Sequence, residues 1–273
     1  MSLRVAEDLL PDGTLAPISG VKRMDLVTLE EAIASSGIDG VPCIAELPGM
    51  LDIDDAVFAA LAKAEELIAS GGPDHYGLSV QHIAAVNLYT QDLLYAALNK
   101  ALRAKDRNQV KPYFSYLRLL LDALCRLPPY HPHGDHATIF RGVNKDISSH
   151  YTDGSKIFFW SFSSCTRDAD ALINPMFCGT SGPRTMLNIT SGSARDVSRY
   201  SFYAAEAEVL LPPGLQFQVM SKATIPGSGG LVMINLEEVS DRLVPWTKTK
   251  AGGGGASGGG GGASSSAPAV TSA

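Results

Sequence analysis

The sequence predicts an α+β fold in which a helical segment is followed by a β-rich segment. Between residues 52 and 127, apolar residues recur at helical spacing and the segments stop at Gly or Pro. From residue 137 onward, short runs rich in Val, Ile, Phe and Thr are separated by Gly, Pro, Asp and Ser, which is typical of strands joined by turns. Helices first and strands second are typical of an α+β fold.

Composition limits the class of protein. The chain has 273 residues, a formal net charge of −6 and 45% hydrophobic residues, which suffices for one large or two small domains with a substantial core. This mild acidity argues against a nucleic-acid-binding protein, for which a basic stripe is expected. Because no run of residues is typical of a membrane span or a secretory signal, we expect an intracellular protein outside the membrane, with export by another route left open.

Neither the cysteines nor the histidines predict a metal site. The four cysteines form no Cys-x-x-Cys pair and are expected to be free thiols of a reducing compartment: Cys43, Cys125, Cys165 and Cys178. The turn HPHGDH at 131–136 has three histidines and an aspartate. The spacing of His131 and His133 is irregular for a tetrahedral site and no second cluster completes it, so a solvated loop is favoured.

Capping and stop signals set the expected helix boundaries. Thr28 and Glu31 have the spacing of a capping box, and Gly37 is expected to end that helix. A last helix is predicted to begin at Pro112 and to stop at Pro128–Pro129. The helices between them are predicted over 52–71, Ser79–Tyr89 and Asp92–Lys105. We expect their Leu and Tyr stripes to form the core.

Six runs are predicted as strands, and the loops between them are long. The runs are ATIFRGV, KIFFWSFSS, RTMLNIT, EAEVLL, LQFQVMS and LVMINL. Pro212–Gly214 is expected to join two of them as a hairpin. Long loops on a β scaffold are where functional sites are usually built: here Asn144–Ser155, Thr166–Pro183 and Ser191–Ala205.

Two acidic residues open the run EAEVLL. Glu206 and Glu208 are two apart, so on a strand their side chains share one face. Neighbouring like charges repel, which a solvated sheet edge tolerates. The apolar neighbours indicate instead a covered strand, where carboxylates need a cation, a metal or a reaction that develops positive charge. The pair alone leaves a functional site and an exposed edge equally open.

Arg141 and Gly142 lie near the end of the run ATIFRGV. A guanidinium presents a fork of donors that suits phosphate, and glycine lets a ligand approach the backbone closely. A surface arginine at a strand end explains the same pattern. Arg141 therefore indicates a phosphate-binding site only when it is considered together with other residues.

The run WSFSSCT ends a strand of aromatic residues with Ser164, Cys165 and Thr166. Hydroxyls at this position can orient a neighbouring carboxylate or cap the next turn. A serine nucleophile is not expected, because the Gly-x-Ser-x-Gly motif is absent.

In chain order, Arg141, the Ser-Cys-Thr run and Glu-x-Glu form a set that resembles the arginine–serine–glutamate class of mono-ADP-ribosyltransferases, close to the arginine-specific branch. The segments NLYTQDLLYAALNKALRAKD and VKPYFSYLRLLLDALCRLP look like that family's helical lobe. IFRGV, FFWSFSSCT, NPMFCGTSGPRTMLNI and DVSRYSFYAAEAEVLLPPG look like its catalytic lobe. The order and spacing of these motifs agree with the family over roughly residues 75–240.

The resemblance implies an ADP-ribosyltransferase-like α+β fold, with a helical N-terminal lobe packed on a mixed or antiparallel β-sandwich core. The catalytic domain is expected over 51–250, with the helical lobe at 51–130 and the β lobe at 136–250. The role of residues 1–50 is uncertain. The segment 251–273 is nearly all Gly, Ala and Ser and is expected to be a disordered tail.

The resemblance also implies roles for residues that bind NAD. Arg141 would hold NAD through its phosphates and ribose, and the Gly142 backbone would bind the nicotinamide amide. Ser164 would hold Glu208, the indispensable carboxylate, in position. Phe177, in the loop after the serine motif, would lie against the nicotinamide ring.

Other implied roles concern the protein substrate. Glu206 and the loop 196–205, with Phe202 and Tyr203, would face a protein that presents an exposed arginine. The family's Ser-Thr-Ser motif is Ser-Cys-Thr here, which keeps the first serine and a terminal hydroxyl.

A reaction follows from these residues. Cleaving the nicotinamide–ribose bond of NAD makes the ribose cationic, and a carboxylate aimed at it lowers the barrier. A second carboxylate can align a guanidinium and take its proton. We therefore expect transfer of ADP-ribose to arginine, with NAD as the substrate and no metal. Hydrolysis of NAD by water, or a module that has kept the fold and lost turnover, are the alternatives.

Overall fold

The computed structural model describes residues 17–35, 52–91, 93–131, 134–174, 177–203 and 206–239. Several predictions from the sequence fall outside these ranges: Cys43, the stop at Gly37, His133 and the tail 251–273.

Five α-helices precede the first strand in the described part of the chain. They are α1 (Leu29–Ala34), α2 (Ile53–Gly71), α3 (Val80–Thr90), α4 (Tyr95–Arg103) and α5 (Phe114–Arg126). The capping box is confirmed, because Thr28 Oγ1 accepts from the Glu31 amide at 3.2 Å and the Glu31 carboxylate accepts from the Thr28 amide at 3.1 Å. Ser79 caps α3, so this helix begins one residue after its predicted start.

The predicted start of the last helix is wrong by two residues. Pro112 lies inside a 3-10 helix, Arg107–Tyr113, and the α-helix begins at Phe114. Asp106 caps this shorter helix by accepting from the Asn108 amide at 3.0 Å. Pro112 lies in the last turn of the 3-10 helix, which runs directly into the α-helix, so the proline does not mark the first turn of α5.

The helical core is built around α3 and α5. All residues of α3 from His82 to Thr90 are buried, and the Leu side chains of α5 pack against them. The expected core stripe is confirmed, since the predicted leucines of α5 are buried: Leu117, Leu120, Leu121 and Leu124. A second core lies within the β lobe around Ile139, Ile189 and Phe217.

Eight strands form one hydrogen-bonded sheet among the described residues. They are β1 (Ala137–Val143), β2 (Lys156–Phe159), β3 (Ser163–Thr166), β4 (Arg184–Ser191), β5 (Arg195–Asp196), β6 (Glu208–Leu211), β7 (Leu215–Thr224) and β8 (Leu231–Glu238). Their order is β2-β7-β8-β4-β1-β3-β6-β5. The sheet is mixed, because β4 and β8 pair in parallel while the other pairs are antiparallel.

Two predicted connections differ from the structure. The run KIFFWSFSS is two strands, because β2 pairs with β7 whereas β3 pairs with β1 and β6. Pro212–Gly214 is not a hairpin, since β6 and β7 are not neighbours in the sheet. The connection 160–162 between β2 and β3 and the connection 212–214 between β6 and β7 are the two corners of the sheet. They lie together, because the Gly214 amide donates to the Phe159 carbonyl at 2.7 Å.

These two short corners require the sheet to fold over. β2 and β3 are five places apart in the strand order, as are β7 and β6, a separation of about 24 Å in a flat sheet. Three connecting residues span at most ~14 Å. The two halves of the sheet therefore approach each other, in agreement with the expected sandwich-like β core. The β1–β3–β6 half carries the residues of the candidate site.

Candidate active site

Strand β1 places Arg141 beside the serine motif. The register Phe140↔Thr166 sets β1 against β3, and Arg141 Nη1 donates to the Ser164 carbonyl at 2.6 Å. Arg141 is half-buried. This bond takes one of the five N–H donors of the guanidinium. The predicted proximity of the arginine and the serine motif is thus present in the structure.

Strands β3 and β6 bring the Ser164 hydroxyl to the Glu208 carboxylate. Their register places Ser164 opposite Leu210 and Thr166 opposite Glu208, so Ser164 and Glu208 are diagonal neighbours on one face. Ser164 Oγ donates to Glu208 Oε1 at 2.7 Å. The other oxygen, Oε2, accepts from Ser201 Oγ at 3.0 Å. The carboxylate is therefore fixed at both oxygens.

Burial dominates the electrostatics of Glu208. The residue is 6% exposed, and this desolvation raises the pKa of its carboxyl group. The hydroxyls of Ser164 and Ser201 and the charge of Arg141 oppose that rise. A carboxylate in this setting interacts strongly with any positive charge that develops near it, because little water screens it.

Glu206 lies in a turn, so the predicted strand alternation is wrong there. The strand β6 begins only at Glu208, and the intervening Ala207 has a φ of 49°, in the left-handed region. The Glu206 amide donates to the Tyr203 carbonyl at 3.0 Å. Since the backbone turns at Ala207, the two side chains do not follow the period-two rule on which the shared face was predicted.

The last residue of the serine motif holds this turn. Thr166 Oγ1 donates to the Glu206 carbonyl at 3.1 Å, and the Arg167 amide donates to the Ala207 carbonyl at 3.4 Å. A non-glycine residue with positive φ costs free energy and persists where surrounding bonds determine it. The terminal hydroxyl of Ser-Cys-Thr thus fixes the main chain of Glu206, while its first hydroxyl fixes the side chain of Glu208.

The middle residue of the motif is a packing residue. Cys165 is buried, and burial raises the pKa of its thiol to about 12. Cysteine reacts as the thiolate, so this side chain is inert at neutral pH.

The loop before Glu206 is anchored on the helical lobe. The Phe202 amide donates to Thr90 Oγ1 at 2.8 Å, and Asn87 Nδ2 donates to the Tyr200 carbonyl at 3.0 Å. The Tyr200 hydroxyl donates to Asp74 Oδ2 at 2.7 Å. α3 therefore fixes the backbone of this loop.

Two aromatic side chains project from this anchored loop. Phe202 is exposed and Tyr203 is partly exposed. Their rings meet edge to face, with centroids 4.9 Å apart. They lie at the surface that borders the Glu206 turn, and their expected contact with a protein substrate stays a prediction.

Gly142 is required by packing of the loop that carries Phe177. A Cβ on Gly142 would lie 2.7 Å from the Cβ of Cys178 and 3.0 Å from the backbone carbon of Phe177. Sequence reasoning expected this glycine to admit a ligand. The structure brings the chain of the predicted nicotinamide-binding residue directly onto β1, with Phe177 half-buried, and the expected ligand contact of the Gly142 backbone stays a prediction.

Sequence reasoning missed three residues around Glu208. Ser201 supplies the second hydroxyl, and Tyr89 of α3 is close enough to both Glu208 and Arg141 for their charges to influence its pKa, which burial raises. Asn99 of α4 donates to the Tyr89 hydroxyl at 3.0 Å. Hydrophobic periodicity places α3 and α4 in the core but cannot show which of their polar residues face the β lobe.

The described residues carry neither a metal-binding cluster nor a membrane-spanning helix. These contain no group of three or more His, Cys, Asp or Glu side chains arranged to hold a metal ion. None of their helices is long and apolar enough to cross a membrane.

The sequence matches one family over most of the region described above. NAD:arginine ADP-ribosyltransferase (ART) is matched by residues 63–242. The chain belongs to this family. The match begins within α2 and extends beyond β8, so it includes both the helical lobe and the sheet.

A curated relative agrees with this assignment. The protein Mav of Mycobacterium avium (strain 104), provisionally named an NAD(+)–arginine ADP-ribosyltransferase, is 30% identical over 176 residues, which is 61% of this chain. The chain spans about a fifth of that relative's length, as the match covers 19% of it.

The solved structures support the fold. The eukaryotic mono-ADP-ribosyltransferase ART2.2 has a TM-score of 0.56 at 20% identity, covering 78% of this chain and 86% of its own. HopU1 of Pseudomonas syringae pv. Tomato DC3000 has a TM-score of 0.54 at 18% identity, covering 79% and 99%. The predicted ADP-ribosyltransferase-like α+β fold is confirmed.

Proposed function

We propose that this chain is a mono-ADP-ribosyltransferase that transfers ADP-ribose from NAD to an arginine side chain of a protein and releases nicotinamide. The observation that carries the proposal is the contact set of Ser164 with Arg141 and Glu208: 2.6 Å to the guanidinium and 2.7 Å to the carboxylate. Membership of the ART family supports it. Solved structures of ART2.2 variants in complex with NADH and with NAD further support NAD as the substrate.

The catalytic domain that we propose extends over 51–250, with the helical lobe at 51–130 and the β lobe at 136–250. The start of α2 at Ile53 and the extent of the family match support this range.

NAD binds, in this proposal, against β1 and β3. Arg141 keeps donors for the phosphates and ribose while its Nη1 is fixed by the Ser164 carbonyl. The Gly142 backbone binds the nicotinamide amide, and Phe177 lies against the ring. The close packing of residues 177 and 178 on Gly142 supports this placement, because it brings both groups to the same part of β1.

Glu208 assists cleavage of the nicotinamide–ribose bond. As the C1′–N bond breaks, its electron pair returns to the pyridinium nitrogen, and nicotinamide leaves as a neutral molecule. The ribose becomes oxocarbenium-like, and the buried carboxylate stabilises this charge. Ser164 and Ser201 hold the carboxylate in place, so little reorganisation is needed when the charge forms.

Glu206 acts on the acceptor. An arginine guanidinium stays protonated in proteins and is a poor nucleophile. The Glu206 carboxylate binds it, aligns one nitrogen with C1′ and takes the proton as the new C–N bond forms. Phe202 and Tyr203 contact the protein that carries this arginine. Their exposed rings beside the Glu206 turn support this role.

Incubation with NAD and a small guanidine compound tests the proposed function. An ADP-ribosyl guanidine adduct is expected, detected by mass spectrometry beside released nicotinamide. Free ADP-ribose without adduct would instead indicate an NAD glycohydrolase, and unchanged NAD would indicate a binding module. Either of these results overturns the proposal of transfer to arginine.

Glu206→Gln separates the two proposed steps. We expect the variant to keep nicotinamide release within about tenfold of wild type while adduct formation falls below detection, because only the acceptor loses its base. Glu65→Gln, an exposed carboxylate change on α2, is the matched control and should leave both activities unchanged. Equal loss of both activities in Glu206→Gln would contradict the division of roles.

A further inference from the structure

The corner between β2 and β3 is held by helix α4. Asn99 is 8% exposed, and its Oδ1 accepts from the Phe162 amide at 3.1 Å. Its Nδ2 donates to the Tyr89 hydroxyl at 3.0 Å. One side chain thus joins α4 to α3 and to the segment that leads into Ser164.

The orientation of the Asn99 amide follows from its partners. A main-chain N–H can only donate, so the oxygen of Asn99 must face Phe162. The NH₂ group then faces Tyr89, whose hydroxyl oxygen accepts. Because both ends of the amide have a partner inside the protein, Asn99 is suited to fixing structure rather than to contacting a substrate.

A second contact from α4 reinforces the same corner. Arg103, one turn after Asn99, donates from Nη1 to Ser161 Oγ at 2.9 Å. Residues four apart on a helix share a face. Two consecutive residues of the corner, Ser161 and Phe162, are therefore bound by one face of α4.

This corner determines where the serine motif begins. Ser164 is two residues after Phe162, and its hydroxyl donates to Glu208 at 2.7 Å. The Phe162 ring also packs on the Tyr89 ring, with centroids 5.1 Å apart. A shift of the Phe162 main chain would move Ser164 relative to Glu208, since Phe162 directly precedes β3 and only one residue separates it from Ser164.

We infer that Asn99 is a positioning residue: by fixing the Phe162 main chain, it sets the place of the Ser164 hydroxyl against Glu208. The inference rests on the proposed function of that site. The helical lobe thus helps to align the Glu208 carboxylate through the buried Asn99 amide and the main chain that leads to Ser164.

Asn99→Leu tests the inference, because leucine has a similar size and removes both hydrogen bonds. We expect the kcat of NAD cleavage to fall about 10- to 100-fold, as for other small misplacements of a catalytic group. The KM for NAD should stay within about threefold. Tyr89→Phe removes only the bond to α3 and keeps the Phe162 bond, so its effect on kcat should be clearly smaller.

A matched control separates positioning from general loss of stability. Leu98→Val shortens the neighbouring buried side chain of α4 and leaves a small cavity, without touching either bond of Asn99. We expect it to leave kcat and its pH profile unchanged. A loss of kcat that is the same in Leu98→Val and Asn99→Leu, once both are adjusted for folded fraction, would overturn the inference.

The pH profile gives a readout that a merely structural role would not move. The described groups that interact electrostatically with Glu208 are Ser164 and Cys165 on β3, Ser201 in the preceding loop, Arg141 on β1 and Tyr89 on α3. Loss of the Ser164 bond removes an interaction that lowers the Glu208 pKa, so Asn99→Leu should move the acid limb of kcat to higher pH, as is also expected for Ser164→Ala. In the double variant the two shifts should not add, because both act through one bond. Additive shifts would overturn the inference.

A direct titration keeps this test independent of turnover. The Glu208 carboxyl can be followed by NMR in protein with ¹³C-labelled glutamate and assigned with Glu208→Gln. We expect Asn99→Leu to raise its titration midpoint and Leu98→Val to leave it in place. If the wild type does not consume NAD, the proposed function fails, while an unmoved midpoint in Asn99→Leu would refute the positioning role itself.

Discussion

The two lobes each bury a carboxylate, and the two are held in opposite ways. Asp122 on α5 is 5% exposed and Glu208 on β6 is 6% exposed. Asp122 contacts the His82 ring at 3.1 Å and the guanidiniums of Arg126 at 2.8 Å and Arg118 at 3.1 Å. Glu208 receives its hydrogen bonds from two neutral hydroxyls.

Their pKa values move in opposite directions. The hydrogen bond from His82, with those from Arg126 and Arg118, holds the pKa of Asp122 well below its usual range despite burial. For Glu208, desolvation prevails over its hydrogen bonds and raises the pKa. The charge of Asp122 is compensated by side chains of the fold. The charge of Glu208 is compensated much less, so it remains able to stabilise a cation that comes from outside the protein.

Sequence reasoning could place these carboxylates on elements but could not find their partners. His82 and Asp122 are 40 residues apart on different helices, and no local pattern relates them. The Ser164–Glu208 contact was reached only through a family motif, since it depends on the β3–β6 register. Helix and strand bounds set by local signals, such as β1 at Ala137–Val143, were predicted closely.

The errors of prediction have non-local causes. EAEVLL alternates as a strand should, but the bond from Thr166 Oγ1 and the positive φ of Ala207 turn the chain at Glu206. The corner at Pro212–Gly214 has the composition of a hairpin, yet its strands pair elsewhere. In each case contacts distant in sequence override the local pattern.

Glu208→Gln should have the largest effect on activity and little effect on stability. We expect NAD cleavage to fall on the order of 10³-fold, because the charge that stabilises the oxocarbenium ion is lost. A carboxyl whose pKa is raised on folding destabilises the folded state when ionised, so the neutral amide should leave the free energy of unfolding at pH 7 within about 1 kcal/mol or increase it. Nicotinamide release and urea unfolding measure the two. Activity within about tenfold of wild type would contradict the role of Glu208.

Asp122→Asn should have the opposite outcome to Glu208→Gln, with a large effect on stability and little effect on activity. Removing one partner of a buried ionic cluster leaves the guanidiniums uncompensated, so we expect a loss of about 3 kcal/mol in the free energy of unfolding at pH 7. The activity of the folded fraction should stay within about threefold. Asp153→Asn, at an exposed aspartate, is the control and should change neither quantity.

The pH dependence of the free energy of unfolding tests whether ionised Asp122 stabilises the fold. Its pKa is lower in the folded state, so its contribution is present above the unfolded value of about 3.9 and is lost as pH falls below it. The wild type should therefore lose more stability on acidification than Asp122→Asn. Parallel unfolding curves against pH would show that this carboxylate does not stabilise the fold.

Ser164→Ala tests how the hydroxyl tunes Glu208. Burial raises the pKa of Glu208, and the Ser164 bond opposes that rise. The ionised form is needed for catalysis, so activity should fall in acid, and the acid limb of kcat should move to higher pH when the bond is lost. Ser228→Ala, a hydroxyl in the β7–β8 connection, is the control that should leave the limb in place. A limb that moves to lower pH in Ser164→Ala would refute this account of the site.

Thr166→Val should have the smallest effect and act on the acceptor step alone. Valine matches the shape of threonine but cannot donate to the Glu206 carbonyl, the bond that holds the turn. It also cannot accept from the Asp168 amide, a local bond just after β3. The hydrogen bond of Ser164 to Glu208 is untouched, so NAD consumption should stay within about twofold. The ratio of guanidine adduct to free ADP-ribose should fall about threefold, as one neutral hydrogen bond allows. Thr166→Ser, which keeps the hydroxyl, should restore the ratio. If Thr166→Val instead lowered NAD cleavage and transfer together, the turn at Glu206 and the carboxylate at Glu208 would have to be treated as a single unit.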